Sequence, residues 1–129
     1  RDMFDPSPEL MTADLSFIGL TLLMPVFASL LPCGGDLVAL VKPQFEAGRA
    51  QVGKGGVVRD AGVHEEVLRR VAARGRDVRM TPTQVTYSPL RGPAGNIEFL
   101  MRLVRDGDDP ADALDAAIPD VVHEAHATI

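Results

Sequence analysis

Cysteine is almost absent from this 129-residue chain, in which Cys33 stands alone. A single cysteine excludes an intrachain disulfide, so we expect a protein of a reducing compartment, the cytoplasm. Lysine and arginine are absent from residues 106–129, which carry seven acidic residues, whereas residues 1–105 carry 13 basic and 11 acidic residues. The chain thus divides into a nearly neutral body and an acidic C-terminal tail. Its net charge of −5 does not exclude RNA as a partner, because local basic patches matter more than the total.

The chain also lacks an initiator methionine and the basic-then-apolar pattern of a signal peptide. We therefore expect it to begin inside a longer protein. Charge is missing from Leu15–Gly35, a run long enough to span a membrane. Because Gly19 and Pro25 interrupt this run, we interpret it as a buried strand-to-helix unit.

The segment Gly35–Glu46 organises the rest of the chain. Its five apolar residues after Asp36 are too few for a helix and do not alternate with polar residues, which predicts a strand buried on both faces of a parallel sheet. Lys42 ends this strand and Pro43 stops the ladder. In open α/β sheets the chemistry lies beyond the carboxyl ends of the strands, so Lys42 stands where a catalytic lysine would stand.

The other elements follow from local patterns. The pattern before the central strand predicts a strand ending near Phe17 and then an apolar helix over 20–31 with Thr21 as its N-cap. Together with the central strand they would form a βαβ unit. A helix capped by Asp60 ends near Arg74 and is closed by Gly75. The next element is predicted to be an edge strand interrupted at Pro82, and alternating apolar residues from Ile97 predict a further strand. The two are expected to pair antiparallel. The acidic tail, 106–129, is predicted to be weakly helical.

Three polar residues mark strand ends in this arrangement. Asp14 and Lys42 lie at comparable ends of neighbouring predicted strands, and Glu98 opens a third strand. A single carboxylate at a strand end is often only a loop cap, but three convergent ionisable groups on apolar strands indicate a functional site.

The segment 43–59 is glycine-rich and basic, and is predicted to be a loop that contacts RNA phosphates through Arg49, Lys54 and Arg59. Its sequence nearly matches the nucleotide-binding P-loop motif, but Gly55 stands where the motif requires a hydroxyl that binds magnesium.

His123 and His126 could be interpreted as a metal site, but no further ligand cluster supports this interpretation, so we expect no metal. His64 precedes two glutamates and is predicted to be exposed.

Four blocks resemble the TlyA family of hemolysin-A-like, FtsJ-type ribosomal RNA 2′-O-methyltransferases. They are residues 12–18 (TADLSFI), 40–46 (LVKPQFE), 51–60 (QVGKGGVVRD) and 88–98 (SPLRGPAGNIE). The resemblance covers about residues 1–104 in the family's order.

The resemblance implies an α/β fold, the C-terminal half of a Rossmann-like S-adenosylmethionine-dependent methyltransferase with a mostly parallel sheet and an antiparallel last strand. It carries over three of the family's four catalytic residues, at Asp14, Lys42 and Glu98, and places Asp14, Leu15 and Ser16 near the cofactor. The family's first lysine, glycine-rich cofactor motif and N-terminal RNA-binding domain would precede residue 1. We therefore expect this segment alone to be inactive.

In this interpretation Lys42 takes the proton of a ribose hydroxyl or holds the forming alkoxide, and Glu98 orients it. A lysine can act as a base only where burial or another cation favours the neutral amine. The implied partners are ribosomal RNA or ribosomal subunits, and the missing half of the protein or a second copy along an unpaired strand edge. A non-catalytic RNA-binding module and a membrane-active, hemolysin-like protein remain as alternatives.

Overall fold

The computed structural model describes residues 9–13, 20–46, 58–90 and 95–128. In these ranges the chain forms four strands and four helices. The strands are β1 (Leu10–Ala13), β2 (Asp36–Val41), β3 (Met80–Tyr87) and β4 (Phe99–Arg105). The helices are α1 (Leu20–Leu30), α2 (Pro43–Glu46), α3 (Ala61–Asp77) and α4 (Ala111–Thr128).

The described strands form one sheet in the order β1-β2-β4-β3. β2 pairs with β1 in parallel, and β4 pairs antiparallel with both of its neighbours. Three strands therefore run in one direction and β4, the last in sequence, runs against them. This confirms the predicted α/β fold with a mostly parallel sheet and an antiparallel last strand. β3 lies at the edge, where Pro82 was expected to place it, and its register shifts between Pro82 and Gln84.

The central strand β2 differs from its prediction in burial. Leu37, Ala39 and Val41 are fully buried, whereas the alternate residues Val38 and Leu40 are only half-buried in the described part of the chain. The expectation that the strand is buried on both faces is therefore wrong for the face that carries Val38 and Leu40. One face of β2 and β4 contributes to the core. On the other face Arg102 Nε donates a hydrogen bond to Asp36 Oδ1 at 2.7 Å and forms an ion pair with it.

The core lies between the buried face of the sheet and helices α1, α3 and α4. α1 contacts β2, and α3 packs beside α1 and α4 while also contacting β3. The tail beyond residue 110 is the 18-residue helix α4, although it contains Pro119. The apolar residues of α4 spaced three or four positions apart lie in the same core as the sheet; they are Leu114, Ile118, Val122 and Ala125.

Helix α3 begins as predicted. The Asp60 carboxylate accepts a hydrogen bond from the Gly62 amide at 2.7 Å, which satisfies an amide that the helix leaves unpaired. The predicted end is wrong, because the helix continues through Gly75 to Asp77. Gly75 is buried where α3 crosses the sheet, and a Cβ there would meet the Met80 carbonyl oxygen and Leu103 Cδ2, each at 2.6 Å. The glycine therefore serves close packing.

Replacing Gly75 with alanine is expected to destabilise the protein by about 1–3 kcal/mol, even though alanine favours helix. The added methyl would meet a backbone oxygen that cannot move without shifting β3. Chemical denaturation of the full-length protein measures the loss. Gly62→Ala in the first turn of α3 is the matched control, since its methyl would meet only the Asp60 carboxylate, at 3.1 Å. Equal stability of the two variants would contradict the packing role of Gly75.

Candidate active site

Lys42 and Glu98 lie at adjoining ends of the two central strands. Lys42 directly follows β2 and Glu98 directly precedes β4. The antiparallel ladder ends with Val41 opposite Phe99, so its register, extended by one residue, sets Lys42 against Glu98. On the other side of β4, the Ser88 amide donates to the Glu98 carbonyl at 2.8 Å, which fixes this end of the strand.

Both side chains are buried, with Lys42 8% and Glu98 5% exposed. Charged residues are rarely buried this deeply unless they are paired or functional. The structure thus brings together two of the three residues that the sequence placed at one site. Asp14, the third, lies outside the described residues, directly after β1.

Gln44 joins this pair, and sequence reasoning missed it. α2 starts immediately after Lys42, and the Gln44 amide nitrogen donates to Glu98 Oε2 at 2.8 Å. The carbonyl oxygen of the same side chain, Oε1, is buried and has no hydrogen-bond partner among the described residues. Its position two residues after a strand-end lysine was the available signal. The result is a buried carboxylate with an oriented amide beside it.

A second set of contacts supports the start of β4 from behind. The Asn96 side-chain oxygen accepts a hydrogen bond from the Val58 amide at 2.9 Å, and both residues are buried. The Val58 carbonyl lies 3.0 Å from Nε2 of His64, and Nδ1 of His64 lies 2.7 Å from Nε2 of His126. These bonds connect the segment before Glu98 to α3 and to the last turns of α4.

The prediction that His64 is exposed is wrong, because its side chain is 0% exposed. It packs edge-on against Phe99 with ring centroids 5.4 Å apart. Because a carbonyl only accepts, Nε2 carries the proton, and Nδ1 accepts from His126. Burial and the neighbouring His126 lower the pKa of His64 from its usual 6.5 to about 4, against the opposing effects of Val58 and Asp60. The imidazole is thus a neutral structural link.

The predicted RNA contacts are described only in part. Arg59 is exposed just before the N-cap of α3. Arg49 and Lys54 lie outside the described residues, as do Leu15 and Ser16, which were predicted to contact the cofactor. Those assignments stay predictions.

Three further observations concern metal ions, membranes and cavities. Among the described residues no group of three or more His, Cys, Asp or Glu side chains is arranged to hold a metal ion. In the same ranges no helix has the length and apolar character needed to cross a membrane. A cavity of about 590 Å³ lies along β3 and α4, but neither Lys42, Gln44 nor Glu98 lines it.

Residues 1–105 match the FtsJ-like methyltransferase family. The chain belongs to this family. The match includes the whole described sheet, and with it the strand ends that carry Lys42 and Glu98.

Curated relatives agree with the family match. The chain is 45% identical over 124 residues to "Putative rRNA methyltransferase YqxC" of Bacillus subtilis and 39% identical over 117 residues to "16S/23S rRNA (cytidine-2'-O)-methyltransferase TlyA" of Mycobacterium tuberculosis. It is also 36% identical over 105 residues to "Hemolysin A" of Brachyspira hyodysenteriae. The first two matches cover 95% and 91% of the chain but only 44% and 43% of the relatives. The chain therefore spans less than half the length of these relatives.

Solved structures show the same fold. "Putative hemolysin from Streptococcus thermophilus" superposes with a TM-score of 0.90 at 43% identity, covering 98% of this chain and 45% of that one. A second hemolysin-titled structure, from Lactococcus lactis, superposes with a TM-score of 0.86 at 37% identity, covering 95% of this chain and 58% of that one. Coverage this high extends the likeness beyond residue 105 into α4, where the sequence alone showed no family signal.

FtsJ-like methyltransferases generally use S-adenosylmethionine, and the described edge fits a ligand in one respect. Gln44 Oε1 is a buried acceptor without a partner there, and a bound molecule with a donor group would satisfy it.

Proposed function

We propose that the full-length protein containing this chain transfers a methyl group to the ribose 2′-hydroxyl of a cytidine in ribosomal RNA. The observation that carries the proposal is the burial of Lys42 and Glu98 at adjoining strand ends in a chain of the FtsJ-like methyltransferase family. The choice of ribose and cytidine rests on the name of the Mycobacterium tuberculosis relative. The proposed partners are ribosomal RNA or ribosomal subunits, in the cytoplasm.

S-adenosylmethionine, when bound, supplies a methyl group on a positively charged sulfur. The ribose 2′-oxygen would acquire this methyl group, with the bond from carbon to sulfur breaking as the bond from carbon to oxygen forms and the electron pair remaining on sulfur. The hydroxyl must lose its proton, since a neutral ribose hydroxyl is a weak nucleophile. A neutral Lys42 amine would accept this proton, or a charged Lys42 would stabilise the developing negative oxygen.

Glu98 has a supporting role in this proposal. It receives one hydrogen bond from Gln44 and, by the ladder register extended one residue beyond Val41 and Phe99, is expected to lie opposite Lys42. A carboxylate held in this way would fix the direction of the lysine side chain. Asp14 would complete the site from the end of β1, between Lys42 and the cofactor, as the family resemblance implies.

The basic segment before α3 would contact RNA phosphates. Arg59 is exposed at the end of that segment, and Arg49 and Lys54 are proposed to act with it. Contacts of this kind release counterions, so RNA affinity would fall as salt concentration rises.

The test is to incubate the full-length protein with ribosomal RNA, free and in subunits, and isotope-labelled S-adenosylmethionine, and then to identify the labelled nucleoside by mass spectrometry. The expected product is 2′-O-methylcytidine. A label on a base carbon or nitrogen, or no label in any RNA, would contradict the proposal.

A further inference from the structure

The side-chain amide of Gln44 has a fixed direction in this structure. Its nitrogen donates to Glu98 Oε2 at 2.8 Å. A carboxylate only accepts hydrogen bonds, so the NH₂ end of the amide must face Glu98 and the oxygen end must face elsewhere. The end of the Gln44 amide that remains for another molecule is therefore an acceptor, not a donor.

This acceptor is unused within the described residues. Gln44 Oε1 is buried from water and has no partner there. A buried polar atom without a hydrogen bond carries a free-energy cost, and native proteins keep few of them. Gln44 lies two residues after Lys42 and its side chain binds Glu98, so this oxygen without a hydrogen bond lies at the candidate active site. A substrate that donates a hydrogen bond there would remove the cost.

The proposed substrate offers two donors. Inside an RNA strand both phosphate-linked oxygens of the ribose are esterified, so a cytidine can donate only from its 2′-hydroxyl and its 4-amino group. The 2′-hydroxyl gives up its proton in the reaction, and an amide oxygen facing it would oppose the negative charge that develops there. The 4-amino group keeps its protons throughout and is a suitable partner for a side-chain oxygen.

We propose that Gln44 Oε1 accepts a hydrogen bond from the 4-amino group of the target cytosine, and that Gln44 thereby selects cytidine over uridine. The inference rests on the proposed function. Uracil carries a carbonyl oxygen at the same position, which would face Gln44 Oε1 without a proton between the two oxygens. Glu98 prevents the amide from turning to offer its NH₂ instead, because that would break the 2.8 Å bond.

The experiment uses the full-length protein and ribosomal RNA transcripts in which the methylated nucleotide, located first with the wild type, is cytidine or uridine. The ratio of kcat/KM for the two RNAs is expected to be about 10- to 100-fold in favour of cytidine, the range of one hydrogen-bond contact to a base. In Gln44→Met, which is similar in length and has no polar atoms, the ratio should fall to within about 3-fold of unity, mainly through a lower rate on the cytidine RNA.

Gln84→Met is the matched control. Gln84 is an exposed glutamine on β3, and its variant should keep the wild-type ratio. Affinity for S-adenosylhomocysteine, measured by calorimetry, should be unchanged in both variants. A merely structural role for Gln44 would lower both rates equally and leave the ratio as it was.

An unchanged ratio in Gln44→Met contradicts the inference, and so does a loss of S-adenosylhomocysteine affinity with the ratio intact, which would assign the acceptor to the cofactor. A wild type that methylates ribose on both RNAs equally also contradicts the inference but leaves the proposed function standing. A wild type that methylates no ribose contradicts both.

Discussion

Replacing Lys42 with alanine in the full-length protein is expected to lower the rate of methyl transfer to RNA by at least about 100-fold, the lower range for loss of a positioned proton acceptor. Lys42 is buried at the strand end that adjoins Glu98, so its removal deletes the group proposed to take the proton or to stabilise the negative oxygen. Affinity for S-adenosylhomocysteine and the melting temperature should change little. Single-turnover kinetics with labelled cofactor measures the rate of the chemical step.

Lys42→Arg separates the two roles proposed for the lysine. Arginine keeps the positive charge but does not lose its proton in proteins. Activity retained in Lys42→Arg would favour stabilisation of the negative oxygen, and its loss would favour proton removal. Arg69→Ala, on the exposed side of α3, controls for a general loss of positive charge. Wild-type rates in Lys42→Ala would contradict the catalytic assignment.

Acid is expected to weaken the fold through His64 by about 3 kcal/mol between pH 6.5 and pH 4. In the unfolded chain the histidine takes up a proton near its usual pKa of 6.5, whereas burial and His126 lower the pKa in the folded protein to about 4. Between these values the unfolded state binds more protons than the native state. The contribution of His64 is therefore complete above pH 6.5 and is lost as the pH falls towards 4.

Chemical denaturation of the full-length protein at half-unit steps from pH 7.5 to pH 4.5 measures this loss. In His64→Gln the part of the slope that belongs to His64 should disappear, although the variant is less stable at pH 7. Asp60 and His126, which face His64, are present in both proteins, so the difference between the two curves reports on the loss of His64. His123→Gln, an exposed change on α4, should keep the wild-type slope. Parallel curves for wild type and His64→Gln would contradict the assignment.

Local sequence patterns were sufficient for the parts of the fold that depend on neighbouring residues. The apolar run over 20–31 predicted α1, which spans Leu20–Leu30, although Thr21 lies inside the helix and the expectation that it is the N-cap is wrong. Asp60 predicted the start of α3. Alternating apolar residues from Ile97 predicted β4, and Pro82 placed β3 at the edge. In each case the pattern reports which side of an element is buried, and this is settled within a few residues.

Long-range packing decided the rest. Glycine is needed at position 75 because β3 and β4 lie against it, and no local signal distinguishes that glycine from a helix end. His64 shares the helical spacing of Val67, Leu68 and Val71, a pattern that predicts burial, but its polarity and the glutamates after it suggested exposure. Its partner His126 is 62 residues away in sequence.

The candidate site was predictable in part. Lys42 and Glu98 could be placed together because strand ends meet at one edge of a sheet, and their burial agrees with that argument. The orientation of Gln44 could not be predicted, since it depends on one hydrogen bond across 54 residues of sequence.

The most direct test of the account is the position of the target nucleotide in a structure of the full-length protein with S-adenosylhomocysteine and methyl-acceptor RNA. The ribose 2′-oxygen is expected within hydrogen-bond distance, about 2.7–3.2 Å, of the Lys42 side-chain nitrogen. Glu98 is expected beside that nitrogen. A ribose that lies away from Lys42, with this edge of the sheet filled by other parts of the protein, would contradict the account.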